Sequence, residues 1–176
     1  MEQDEMKPVK MRKKFLAQCK VIAVGDAVID YAELKKLLND SRKFFSHYID
    51  EDGPRFGNTN DRRKSLFVLL AIALTLRRYF DAPNGSQNPW LKKLLLVFKV
   101  KPSRKGSNPS LEIVRLCIPN LHRRQQSRYA KAVEKALEED LSPRKFFLIL
   151  RPRGGNRANK KKRSRNGIGL TAFIGY

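Results

Sequence analysis

Residues 66–76, LFVLLAIALTL, are apolar at every position except Thr75. A helix that is apolar nearly all round has no face to offer to water, so it must be buried on most sides. The run is bracketed by Arg62, Arg63 and Lys64 before it and by Arg77 and Arg78 after it. Its eleven residues fall well short of the ~20 that a helix needs to cross a bilayer. The expectation is a central core helix from Arg62 to about Phe80, with no membrane span. The arginines at its C-terminal end complement the helix dipole, whereas the N-terminal trio opposes it. Something other than helix stability should account for that trio.

The remaining helical signals are arranged around this run. Asp30 reads as an N-cap, with Glu33 three residues later, before a stripe of Leu34, Leu37, Leu38, Phe44, Phe45, Tyr48 and Ile49. Gly53-Pro54 ends that stripe, and Asp61 reads as the cap of the core helix. Asn88-Pro89 places Pro at N1 of a helix from Trp90 to Val100. Asn108-Pro109 precedes Leu111–Ile118, a short helix or strand, with helix favoured. Asn120 reads as the cap of a long polar helix to about Asp140, and Ser142-Pro143 opens a short apolar helix from Arg144 to Leu150. Phe15–Ile29 is apolar with small residues and fits a helix, or a strand around Lys20–Val24. The Pro-containing caps at 88, 108 and 142 do not recur at a fixed period, so they are reused caps and no repeat.

The expected fold is mainly α: a compact multi-helix domain of about five to six helices with a flexible basic C-terminal arm. Residues 1–14 form a flexible N-terminus, 15–155 the helical domain, and 156–176 a basic tail with an apolar end. A chain of 176 residues is most simply one domain. Cys19 and Cys117 lie in apolar runs without a CxxC pair, which points to buried free thiols and a reducing, intracellular compartment. Met1–Asp4 is acidic and no long apolar stretch follows the first basic cluster, so no secretory signal is expected. The compartment is cytoplasm or nucleoid, or nucleus in a eukaryotic host.

The formal charge is +21, and its distribution is uneven. Residues 1–61 carry eleven basic and eleven acidic side chains, 62–150 carry nineteen and six, and 151–165 carry eight and none. Such a surplus costs self-repulsion and calls for a polyanionic partner. Lys99–Lys131 is the strongest candidate surface, with nine Lys/Arg against the single acid Glu112. It comprises a basic loop with Lys101, Arg104 and Lys105, and a polar helix carrying Arg123, Arg124, Gln125, Arg128 and Lys131. Gln and Arg can contact base edges bidentately, and Arg and Lys can clamp phosphates. The competing explanation is a solvated face paired to Glu134, Glu138 and Glu139. Those acids sit at the far end of the helix and do not neutralise its first half. Arg62, Arg63 and Lys64 join the candidate set. So do Lys160, Lys161, Lys162, Arg163 and Arg165 of the tail, which resembles a disordered phosphate-binding arm or a nuclear-localisation patch.

Tyr129–Leu150 matches a helix-turn-helix in outline. Its second helix contains FFLIL and offers only Arg144 and Lys145 as readers, so a buried packing helix is favoured. Most aromatics read as core, with Phe56 and Tyr176 in loop-like context. His47 and His122 are the only histidines, and neither lies in a zinc or metalloprotease spacing. No nucleophile elbow or phosphate-binding loop motif occurs. The run Asp50-Glu51-Asp52 reads as a solvated helix end. No catalytic residue, cofactor or metal is expected. RRQQSRYAKAVEKAL at 123–137, with the later Gly154-Gly155, resembles segments of bacterial or mobile-element proteins without pointing to any one family. The reading is a non-enzymatic nucleic-acid-binding protein, with duplex DNA favoured over RNA. The alternative is an assembly subunit that docks on an acidic protein or a ribonucleoprotein, with a possible protein partner at 168–176.

Overall fold

The computed structural model describes residues 8–24, 30–48, 59–81, 89–104 and 106–150. These form seven helices and no strand among the described residues: α1 Pro8–Val24, α2 Tyr31–Tyr48, α3 Thr59–Asp81, α4 Pro89–Val97, α5 Ser110–Cys117, α6 Arg123–Glu138 and α7 Pro143–Leu150. Helix α3 is central and touches α1, α2, α5, α6 and α7, while α4 packs on α5. The central position follows from the apolar run: Val68 through Leu74 and Leu76 have no solvent exposure apart from the buried Thr75 between them. The Thr75 hydroxyl donates to the Ala71 carbonyl at 2.9 Å, so the one polar group in the run is satisfied within its own helix.

Helix α1 begins at Pro8, well before the Phe15 boundary that hydropathy suggests. Phe15 and Cys19 are buried against the core, and Arg12 reaches Ser65 of α3 through its guanidinium at 3.4 Å. Packing on α3 therefore carries the helix back through a charged segment whose local sequence suggests fraying. This start also settles the helix-or-strand choice for 15–24 as helix, and α1 is what raises the count above six. Phe15 meets Phe44 of α2 edge-to-face at 5.4 Å. Cys19 and Cys117 are buried free thiols, and burial pushes the Cys19 thiol up to about 11.

Asp30 and Ser142 cap their helices where the sequence places them, the N-cap position of α5 is Pro109 without a side-chain cap bond, and Asp61 and Asn120 are not caps. The Asp30 carboxylate accepts the Glu33 N–H at 2.7 Å, and the Ser142 hydroxyl accepts the Lys145 N–H at 3.2 Å. Asn108 accepts from Ser110 at the start of α5, at 2.9 Å. Helix α3, however, starts at Thr59, which puts Asp61 inside its first turn and excludes it as the cap. Asn120 is not the cap of α6 either. It lies in the left-handed region at φ +61°, a conformation Asn tolerates, and it turns the chain two residues before the N-cap, His122.

Candidate nucleic-acid interface

Helices α5 and α6 form a tight antiparallel pair, and the turn between them sets the start of the basic helix. His122 is the N-cap of α6, its backbone extended at φ −60° and ψ 142°. Its Nδ1 accepts the Arg124 N–H at 3.3 Å, and the Gln125 Oε1 accepts the His122 N–H at 3.3 Å. This reciprocal arrangement satisfies donors that a helix start otherwise leaves unpaired. It also alters the role of Gln125. With its oxygen held in the cap, Gln125 retains only its NH2 for an outside partner. The bidentate contact expected of it would require the cap to open.

From that start, α6 is amphipathic. Tyr129, Ala130, Ala132, Val133 and Ala136 are buried on the core side. Arg123, Arg124, Ser127, Arg128 and Lys131 are all exposed. Neighbours three and four apart share a helix face, so Arg124, Arg128 and Lys131 line one stripe and Arg123, Ser127 and Lys131 the adjoining one. Among the described residues no acidic side chain pairs with Arg123, Arg124 or Lys131. No acid occupies the first turn, where positive side chains oppose the dipole.

Glu134 of the same helix and the acids just past its end are engaged elsewhere, while Glu138 is exposed at its last residue. Glu134 Oε1 accepts from Arg77 Nε of α3 at 2.9 Å and also from the Ser110 hydroxyl of α5. Both side chains of that ion pair are largely buried. Glu139 lies 4.0 Å from Lys135 on its own helix. Asp140, just past the helix end, takes Arg78 Nη2 at 2.7 Å. The first three turns of α6 thus carry the exposed cations, with Glu134 turned to the core side and the other acids at the far end.

Arg115 and Gln126 attach the basic loop to this helix. Arg115 Nε donates to Gln126 Oε1 at 2.9 Å, and its Nη1 donates to the Lys101 carbonyl at 3.3 Å. Gln126 in turn donates its NH2 to the Leu121 carbonyl at 2.7 Å. The loop residues Lys101 and Arg104 are exposed. The loop is held a second time, because the Ser103 N–H donates to Glu112 Oε1 at 2.6 Å. Arg42 of α2 supports the same corner: it donates to the Leu116 carbonyl at 3.1 Å and stacks over Phe98 at 5.0 Å. Burial lowers its pKa, but the guanidinium remains charged.

The expected basic surface is therefore assembled in part. Arg123, Arg124, Arg128 and Lys131 share one exposed face, and Lys101 is tied to it through Arg115. Arg62, Arg63 and Lys64 are half-buried at the start of α3, and each is already engaged within the protein. They are weaker candidates than a fully solvated trio. Lys105 and the tail residues Lys160, Lys161, Lys162, Arg163 and Arg165 lie outside the described residues, as do Asp50-Glu51-Asp52 and the segment 168–176. Helix α7 packs on α3 and α1, with Phe146, Phe147 and Leu150 buried. It is a packing helix, and only Arg144, Lys145 and Leu148 of it are exposed. Sequence reasoning missed Arg115, Gln126 and His122 as positioning residues. The only signal for any of them was the spacing of His122 and Gln125 at N-cap and N3.

Among the described residues no cluster of His, Cys, Asp or Glu could hold a metal ion, and no helix is long and apolar enough to cross a membrane. No family model matches the chain, and no curated protein or solved structure matches it.

Proposed function

We propose that this protein binds nucleic acid without catalysing a reaction on it, and that duplex DNA is favoured over RNA. One observation carries the reading: Arg123, Arg124, Arg128 and Lys131 lie on one exposed face of α6, while Glu134 of that helix is held by Arg77 and Ser110 and the exposed Glu138 sits at its far end. A rigid helix presents these cations at fixed spacing. An α-helix fits the major groove of B-DNA and not the deep, narrow groove of A-form RNA. Lys101 and Arg104 of the attached loop extend the contact to neighbouring phosphates, and Lys105 and residues 160–165 add charge by composition.

The test is a set of binding titrations with duplex DNA, single-stranded DNA and RNA across a salt series. Affinity for duplex DNA should fall linearly on a log–log plot, with a slope of about −0.9 for each phosphate neutralised. A slope near zero, or affinity for an acidic protein that exceeds affinity for every nucleic acid, would reject the reading. The latter result would support an assembly subunit.

A further inference from the structure

A cleft of about 240 Å³ opens between the end of α3, the start of α4 and the loop before α5. Ser103, Arg104, Ser107 and Asn108 of the loop whose Lys101 carbonyl accepts from Arg115 contribute to its lining. Its walls include Phe80, Leu91 and Ile113, which are apolar and mostly buried. Its polar lining includes Ser103, Asn108 and Glu112. Apolar walls with a few fixed polar groups are the usual composition of a small-molecule site, and this volume suits a single ring system.

The geometry points to a cleft for one unstacked nucleobase, lined by the basic loop that carries Arg104. This rests on the nucleic-acid reading above and specifies which part of the polymer enters the fold. A phosphate is the wrong occupant. Glu112 places a carboxylate in the lining, and Arg77, the buried cation there, is already paired to Glu134. Glu112 uses Oε1 to hold the Ser103 N–H, which leaves Oε2 to accept. Asn108 uses Oδ1 on the Ser110 N–H, which leaves its NH2 to donate. The Ser103 hydroxyl is shielded from water and has no hydrogen-bond partner among the described residues, an expensive condition unless something fills it. An acceptor and donors around an apolar slot match a base edge that combines N–H groups with a carbonyl, guanine above all. Arg104, exposed at the cleft, is placed for the flanking phosphate. An unpaired or extrahelical base is required, since the edge of a stacked and paired base is not free to enter the cleft.

Three short duplexes of otherwise identical sequence separate the outcomes: one with an extrahelical guanine, one with an abasic residue at the same place, and one fully paired. The guanine bulge should bind at least about fivefold tighter than the abasic bulge, as expected for a base edge read by paired hydrogen bonds. Glu112→Gln keeps the bond to Ser103 but removes the carboxylate, and it should erase that preference. Ser107→Trp, at an exposed lining position, should erase it by filling the slot, with melting measured to confirm folding. Equal affinity for the two bulges, or a preference that survives in folded Glu112→Gln, would overturn the inference. Equal binding of all three duplexes would remove the cleft alone and leave the nucleic-acid reading standing. Binding of none would remove both.

Discussion

Helices α3 and α6 both carry several cations, yet the two groups of cations behave oppositely. On α3, Arg77 pairs with Glu134 and Arg78 with Asp140, at 2.9 and 2.7 Å. These two arginines near the end of α3 take acids from α6 or its end. On α6, Arg123, Arg124 and Lys131 have no acidic partner among the described residues. The difference arises because α3 is enclosed and α6 lies at the edge. A cation entering the core region must be neutralised, because an unpaired buried charge is costly. A cation facing water has no such need and stays available to an outside anion. The lesson is that a count of charges does not locate a binding face. What locates it is where packing draws off the counter-charges.

The largest effect should come from the enclosed helix. Leu70 has no solvent exposure, and Leu70→Ala should cost about 2–5 kcal/mol in urea unfolding. A cost below ~0.5 kcal/mol, typical of exposed sites, would dismantle the contrast at its root. Next is the pair that joins the two helices. Glu134→Ala leaves Arg77 with its charge partner removed and Ser110 without its acceptor. Because that pair is partly solvated, we expect a loss of about 2 kcal/mol, below the range for fully buried pairs. The salt slope of DNA binding should stay as in the parent, since Glu134 is not on the exposed face. A change in that slope would show that the face is electrostatically coupled to the pair.

The exposed helix should show the reverse pattern. Changing Arg123, Arg124 and Arg128 together to Ala should flatten the salt dependence by ~0.9 per lost phosphate contact and leave the unfolding midpoint close to the parent's. A folded triple variant with unchanged affinity would refute the assignment of this face. The smallest effect sharpens the comparison. His122→Ala removes the N-cap acceptor and should cost about 1 kcal/mol. It should also loosen the first turn that presents Arg123 and Arg124, seen as faster amide exchange at residues 123–126. Unchanged exchange there would mean the turn is held by Gln125 and Gln126 without the imidazole.

Much of the fold is legible because its signals are local. An apolar run of core-helix length, an Asp or Ser before a hydrophobic stripe, and Pro at N1 each act through neighbouring residues. That is why α2, α4, α5 and α7 begin at or within a residue of their expected starts. The errors fall where a distant contact overrides the local signal. Residues 8–14 look frayed alone but are helical against α3. Asp61 looks like a cap, but the helix starts earlier. Asn120 looks like a cap, but its left-handed backbone moves the start to His122.

The sequence by itself determined that one helix would be enclosed and another would carry a basic stripe, since composition and periodicity decide both. Only the tertiary structure decided which charges remain available. Arg77 and Glu134 are 57 residues apart and Arg78 and Asp140 are 62, and no local pattern links residues at such separations. Likewise, the loop is joined to α6 through Arg115, which bridges Gln126 and the Lys101 carbonyl, and the cleft lies where α3, α4, α5 and that loop converge. Helix formation is governed by neighbours a few residues apart, whereas pairing and enclosure depend on how the helices pack, which no single segment encodes.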